Sequence, residues 1–176
     1  MPNITYNHST NIGRWLQGHP AFLERAYKFT EWIFERINPL FERLGYEKIE
    51  PWIRPAEEWA KGVVFDCRMC GQCVLHATGM TCPMTCPKNL RNGPCGGVRP
   101  NGHCEVVPEM QCVWVQAYRR SQEMPVYGHE ISHLQPPVNR QLEGRSAWVT
   151  LLSEEDHPVT AGWVYVSEIN VARTKI

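Results

Sequence analysis

Eight cysteines lie within residues 67–112, and the sequence contains no others. They begin with an evenly spaced triple, C-x2-C-x2-C, and continue at intervals of eight, three, eight, eight and seven residues. The eight are Cys67, Cys70, Cys73, Cys82, Cys86, Cys95, Cys104 and Cys112. Because thiolates are ligands for iron and zinc, this cluster predicts metal-binding chemistry.

The triple formed by Cys67, Cys70 and Cys73 is typical of iron-sulfur ligation. Three thiols at these intervals wrap a loop around one face of a cubane, and a distant Cys-Pro can supply the fourth ligand. Zinc sites more often use pairs of cysteines. The spacing therefore favours two [4Fe-4S] clusters, with zinc at one or both positions as the alternative. The triple is assigned to one centre, and the other five cysteines share its fourth position and the second centre in a partition that spacing leaves open.

The rest of the composition bears on compartment and partners. Eighteen Lys and Arg residues balance eighteen Asp and Glu residues, so no strong field attracts nucleic acid. The N-terminus lacks the basic and apolar parts of a signal peptide, and no stretch is apolar enough for a membrane span. We therefore expect a cytoplasmic protein without membrane insertion. In that compartment clustered thiols bind metal more often than they form disulfides, and four disulfides are the alternative for an exported chain.

A helix is expected on the N-terminal side of the cysteines. Between Pro20 and Pro39 an apolar stripe recurs at helical spacing. Its members are Phe22, Ala26, Phe29, Ile33 and Ile37, widened by Leu23 and Trp32. Pro20 suits a first helical turn, and Pro39 should end or kink the helix, with a short continuation to Gly45. The stripe predicts a core-facing helix or, alternatively, a docking surface for another subunit.

The C-terminal part is expected to differ from this arm. A short helix is predicted directly after Cys112, and beyond Ser121 prolines punctuate the chain. Strand-like pieces occur at residues 147–152 and 164–166. Together these features predict an irregular, metal-cluster-nucleated small α+β domain with an N-terminal amphipathic helical arm and an extended C-terminal tail. The expected division is residues 1–60 for the arm, 61–120 for the cysteine-rich module and 121–176 for the tail.

Residues 129–133 read H-E-x-x-H, a motif that in zinc peptidases places two metal-binding histidines and a general base on one helix. Pro125 and the Pro136-Pro137 pair leave fewer than three helical turns between them. We therefore expect these histidines to be surface residues, and we predict no catalytic residue. His76 and His103, inside the cysteine segment, are interpreted as loop histidines, with metal ligation as the alternative.

Three other residues near the cysteines each have two interpretations. Lys88 and Arg91 either offset the negative charge of a thiolate-ligated cluster or are solvated. Trp114 either shields a centre from water or is an ordinary core aromatic residue.

The cysteine segment resembles a known family. The residues GQCVLHATGMTCPMTCPKNLRNGPCGG, followed by NGHCEV and CVW, are similar to the methylenetetrahydrofolate reductase C-terminal domain family, whose hallmark is a cysteine-rich segment containing CPK and NGPCGG. The resemblance is specific over residues 60–120. The SAW residues at 146–148 and the Asp-His pair at 156–157 extend it more loosely to about residue 160.

The resemblance implies a function. Such domains occur as small subunits of a catalytic (β/α)8-barrel flavoprotein, carrying FMN or FAD, that interconverts methylenetetrahydrofolate and methyltetrahydrofolate. At 176 residues this chain is too short for a barrel of about 250 residues, and it lacks a G-x-G-x-x-G fingerprint. The resemblance thus implies a non-catalytic subunit in folate one-carbon metabolism, whose two [4Fe-4S] clusters relay electrons between an electron-donor protein and the partner's flavin. A structural zinc module that stabilises the partner is the alternative.

Overall fold

The computed structural model describes residues 11–153. Within this range the chain forms five α-helices: α1 (Asn11–Gln17), α2 (Pro20–Leu44), α3 (Tyr46–Phe65), α4 (Val113–Ser121) and α5 (Ala147–Leu152). The cysteine-rich segment between α3 and α4 is irregular apart from two short 3-10 helices, His76–Thr78 and Pro83–Thr85. Two more, Gly128–Ser132 and Arg140–Leu142, lie between α4 and α5. None of the described helices is both long and apolar enough to cross a membrane.

The expectation of an α+β domain is wrong, because residues 11–153 are helical and contain no sheet. The β-type pairing in this range is limited to one isolated bridge between His103 and Gln111. The strand-like residues 147–152 form α5. Ser146 caps this helix, since its Oγ accepts a hydrogen bond from the Val149 N–H at 3.3 Å. This cap and tertiary packing outweigh the strand preference of the aromatic and β-branched residues. The second strand-like piece, 164–166, lies outside the described residues.

A metal-cluster nucleus is not seen either. In the part of the chain that the structure describes, no three His, Cys, Asp or Glu side chains are gathered closely enough to hold a metal ion. Ordinary side chains build the core around the cysteine-rich segment instead: Leu23, Leu75, Met80, Cys82, Met84 and Met124. The methionines fill the irregular spaces that a segment without regular structure leaves.

The long helices run through their prolines. Pro20 occupies the first turn of α2 as predicted, but Pro39 does not end this helix, which continues to Leu44. Gly45 alone joins α2 to α3, and its φ of 87° is a left-handed conformation that glycine adopts without a Cβ clash. The two helices pack against each other.

The aromatic stripe of α2 is largely exposed, so the core-facing interpretation of the whole stripe is wrong. Its most exposed aromatic residues are Phe22, Phe29 and Trp32. Of the stripe residues the helix buries Leu23, and beside it the helix buries Glu24. Glu24 is tolerated inside because its Oε1 accepts the backbone N–H groups of Val126 at 3.0 Å and Tyr127 at 2.6 Å.

The described part of the expected tail folds back onto the N-terminal helices. The ring of Trp148 in α5 lies 4.7 Å from the ring of Phe34 in α2 and 4.8 Å from Nζ of Lys61 in α3. Arg145 adds an ion pair with Glu50 at 3.2 Å. The predicted short helix after Cys112 is confirmed as α4. These contacts place residues from both ends of the described chain around the cysteine-rich segment.

Candidate functional site

The eight cysteines line two separate cavities, four in each. The first cavity is lined by Cys67, Cys70, Cys73 and Cys82. The second cavity is lined by Cys86, Cys95, Cys104 and Cys112. All eight cysteines are free thiols in the structure, which does not agree with the alternative of four disulfides. The fold thus groups Cys82 with the evenly spaced triple, a partition that spacing alone left open.

A short turn connects the two cavities. Cys82 directly precedes the 3-10 helix Pro83–Thr85, and Cys86 directly follows it. The hydroxyl of Thr85 donates to the Cys82 carbonyl at 2.7 Å, and the Cys86 N–H donates to the Pro83 carbonyl at 3.0 Å. Four residue steps span at most about 14 Å between Cα atoms. The cavities are therefore direct neighbours.

Backbone N–H groups support three thiols of the first cavity. In each case the donor lies two residues after the cysteine: Met69 for Cys67, Leu75 for Cys73 and Met84 for Cys82. Hydrogen bonds of this kind favour the thiolate, which is the form that binds metal. The local loop geometry therefore suits thiolate ligands.

The thiols of the first cavity differ in pKa. A hydrogen bond with Cys82 lowers the pKa of Cys67 to about 7. The same bond raises the pKa of Cys82 well above its usual value, and burial acts in the same direction. Burial also raises the pKa of Cys73. Cys67 is therefore the thiol of these three that ionises most readily.

A buried ion pair lies against the first cavity. Nζ of Lys61 lies 2.5 Å from Oε1 of Glu57, four residues earlier on α3, and the hydroxyl of Ser146 donates to the other carboxylate oxygen. Burial acts to lower the pKa of Lys61, but the Cys73 thiolate and the Glu57 carboxylate raise it above the usual value. The ammonium therefore stays charged beside the thiols. This lysine was not among the predicted site residues, and its one signal in the sequence is its i,i+4 spacing from an acidic residue.

Arg91 supplies a second cation to the first cavity. The side chain is buried, with 7% of its surface exposed, so the solvated interpretation is wrong. Its Nη2 donates to the carbonyl of Gln72 at 3.1 Å, while Nε and Nη1 are buried without a hydrogen-bond partner. Because unpaired buried donors are costly, this cavity favours an anionic group.

The cation beside the second cavity is compensated and exposed. Lys88 forms an ion pair with Glu105, and this hydrogen bond raises the pKa of Lys88 and lowers that of Glu105. The Cys95 thiol donates to the same carboxylate at 3.7 Å. The carboxylate lies directly over Gly97, where an added Cβ would come within 1.7 Å of it. Lys88 is thus solvated and also close to a cysteine.

Two other residues of the segment have clear positions. Trp114 is buried, lines the second cavity and donates its indole N–H to the Leu90 carbonyl at 3.1 Å. It also belongs to a small hydrophobic cluster, which agrees with its interpretation as a core aromatic residue. His103 contacts the Pro108 carbonyl at 2.8 Å and lines neither cysteine cavity.

The H-E-x-x-H residues do not form a zinc site in the described structure. They lie on the short 3-10 helix Gly128–Ser132 and its end, not on an α-helix. Glu130 faces His76, with 3.4 Å between Oε2 and Nε2. His129 and His133 are exposed, with ring centroids 5.8 Å apart. The interpretation of these two histidines as surface residues is confirmed.

An open cleft of about 590 Å³ runs beside both cavities. It shares Phe65 and Cys82 with the wall of the first cavity, and Met110 and Val113 with the wall of the second. Arg120 of α4 also lines the cleft. The cleft therefore gives access from one side to the walls of both cavities.

Comparison with known proteins gives a match to one family. The family model described as methylene-tetrahydrofolate reductase C terminal matches residues 46–141, which is more than half of the 176-residue chain and includes all eight cysteines. No curated protein and no solved structure matches the chain. The matched range begins at α3, covers both cavities and Arg91, and leaves α2 outside. The chain belongs to the methylene-tetrahydrofolate reductase C-terminal family.

Proposed function

We propose that this chain is a non-catalytic subunit of a methylenetetrahydrofolate reductase and carries one [4Fe-4S] cluster in each cavity. In this role it passes electrons between an external donor protein and the FMN or FAD of a catalytic (β/α)8-barrel partner. The observation that carries the proposal is the division of the cysteines into two neighbouring sets of four in a member of this family. Four thiolates are the ligand set of a [4Fe-4S] cluster, which accepts and releases single electrons.

The residues around the first cavity fit an anionic group of this kind. Four thiolates on a cubane leave a net negative charge, which buried cations compensate. Lys61 and Arg91 are such cations, and Arg91 has two N–H groups without a hydrogen-bond partner. The backbone donors to the thiols favour ligation and tune the potential of a bound cluster.

The connection between the cavities suits a relay. Electron transfer rates fall steeply with distance, so consecutive centres must be neighbours. The turn Pro83–Thr85 holds Cys82 and Cys86 at its two ends. Trp114 is buried on the wall of the second cavity, where its ring would shield a bound centre from water. The chain's own task is therefore to hold two electron carriers close together and dry.

We place the docking surface for the flavoprotein partner on α3. Trp52 and Trp59 expose 83% and 73% of their surfaces, and they are seven positions apart, so they share one helix face. Both lie in the range that the family model matches, whereas the exposed aromatic residues of α2 do not. Tryptophan is the residue type most enriched at the energetic centre of interfaces.

A structural zinc module is the second candidate. Four cysteines also complete a tetrahedral zinc site. The observation in its favour is size, because each cavity measures only about 20 Å³. A four-iron cubane requires the thiol side chains to move apart, whereas a single ion needs less room.

Electron delivery tests the proposal. The protein is purified anaerobically, reduced with dithionite, freed of excess reductant and mixed with the oxidised flavoprotein partner in a stopped-flow instrument. We expect visible absorption that bleaches on reduction and then recovers as the flavin is reduced. A colourless protein with stoichiometric zinc, or coloured protein that leaves the flavin oxidised, contradicts the relay.

A further inference from the structure

Arg91 has the least satisfied buried cationic side chain in the described structure. Among residues 11–153, the buried side-chain nitrogen and oxygen atoms without a hydrogen-bond partner are Nε and Nη1 of Arg91 and Oε2 of Glu24. The carboxylate of Glu24 still accepts two backbone N–H groups through Oε1. Arg91 makes one hydrogen bond, to the Gln72 carbonyl, and no carboxylate of the described residues pairs with it.

The position of Arg91 in the fold differs from its position in the sequence. It lies between Cys86 and Cys95, which both line the second cavity, yet its side chain lines the first. A cation from the loop that lines the second cavity therefore lies against the first cavity.

The two cavities consequently differ in charge. Lys61 beside the first cavity is balanced by Glu57, and Lys88 beside the second is balanced by Glu105. Arg91 is the cation left over, and it lies on the first cavity. In the protein interior one uncompensated charge acts more strongly than it does in water.

We propose that Arg91, on the wall of the first cavity, makes the first centre the more easily reduced of the two. Its free Nε–H and Nη1–H groups would be donors for an anionic group held by the first four cysteines, and its charge would favour the form with one more electron. With a cluster in each cavity, one electron from a reductant such as dithionite would reduce the first centre before the second, with no bond made or broken. This inference rests on the proposed function, because it requires a cluster in each cavity.

An EPR-monitored redox titration of the cluster-loaded protein tests this role. Arg91→Met should lower the midpoint potential of the first centre and leave that of the second unchanged. At the wild-type midpoint, the ratio of reduced to oxidised first centre should fall roughly tenfold, equivalent to about 59 mV for one electron. Arg91→Lys keeps the charge, so it should lower the midpoint potential of the first centre much less. Arg25→Met, an exposed position on α2, is the control and should change neither potential.

The signals are assigned with Cys86→Ser, which should retain the first centre alone. Equal potentials in wild type and Arg91→Met, or a shift confined to the second centre, overturn the inference. If Arg91→Met does not hold the first cluster, Glu57→Gln provides the test. Removing the carboxylate that balances Lys61 should raise the midpoint potential of the first centre. An unchanged potential overturns the role of cavity charge. Wild-type protein without iron refutes the proposed function, whereas loaded clusters with unmoved potentials refute only the role of Arg91.

Discussion

Nζ of Lys61 lies 2.5 Å from Oε1 of Glu57, and both side chains are buried at the wall of the first cavity. Removing one partner of such a pair leaves an uncompensated charge in the interior. We expect Lys61→Met to lower the free energy of unfolding by about 3–5 kcal/mol. Chemical denaturation measures this change.

The double variant Lys61→Met, Glu57→Gln provides the control for this pair. It removes both charges, so we expect it to recover part of the stability lost in the single variant. A single variant within about 0.5 kcal/mol of wild type, the range of ordinary surface substitutions, would show that the pair is not the buried contact described here.

Gly71 tests the backbone of the loop that carries Cys67, Cys70 and Cys73. Its φ is +77°, and an added Cβ would lie 2.2 Å from the carbonyl oxygen of Leu142. Gly71→Ala must therefore displace backbone. We expect it to lower the free energy of unfolding by about 2 kcal/mol or more and to weaken binding of the metal proposed for the first cavity. Gly96→Ala is the matched control, because a Cβ there meets nothing within 4 Å. Equal stability and metal content for both alanine variants would contradict this account of the loop.

The exposed tryptophans of α3 test the proposed docking surface for the flavoprotein. We expect the double variant Trp52→Ala, Trp59→Ala to weaken binding to the flavoprotein by at least about tenfold without loss of stability, because interface tryptophans often contribute more than 1.4 kcal/mol each. Isothermal titration calorimetry measures the affinity. Phe29→Ala with Trp32→Ala on α2 is the comparison. If that variant loses binding and the α3 variant keeps it, the docking surface lies on α2.

The pKa of Cys67 predicts a pH dependence in the metal-free protein. The hydrogen bond with Cys82 lowers this pKa to about 7, so the thiolate is populated above that pH and is protonated below it. We expect alkylation of Cys67 by iodoacetamide, followed by peptide mass spectrometry, to reach half its maximal rate near pH 7. Cys73 should react more slowly, since burial raises its pKa.

Cys82→Ala checks the cause of that profile. Without the hydrogen bond from Cys82, the rate profile of Cys67 should move to higher pH. A profile that stays in place would mean that another group sets the pKa of Cys67.

The sequence predicted which cysteines of the evenly spaced triple lie together, but not the fold around them. The Cys67, Cys70 and Cys73 triple lies on one cavity because short spacing keeps these residues together. Cys82 and Cys86 could not be assigned in the same way, since they are four residues apart and a 3-10 turn directs them to different cavities. Local spacing does not predict the direction of such a turn, because tertiary packing around the turn determines it.

Tertiary contacts explain the other differences. The residues 147–152 have strand-forming side chains, but the Ser146 cap and packing against α2 and α3 make them helical. Periodicity located the apolar stripe of α2 but not the buried side of the helix. Glu24 can be buried because its carboxylate accepts hydrogen bonds from backbone N–H groups more than 100 residues away. Lys61 of α3 and Arg91, which lies between Cys86 and Cys95, both line the first cavity, and this proximity depends on the complete fold.

The most direct test of the central claim is the iron and sulfide content of anaerobically purified protein and of two cysteine variants. Two four-iron centres predict about eight iron atoms and eight sulfides per chain in wild type. Cys82→Ser should lose the centre of the first cavity and Cys86→Ser that of the second, with different EPR signals remaining. Wild-type protein that contains zinc and no iron, or two variants that lose the same signal, would contradict the account.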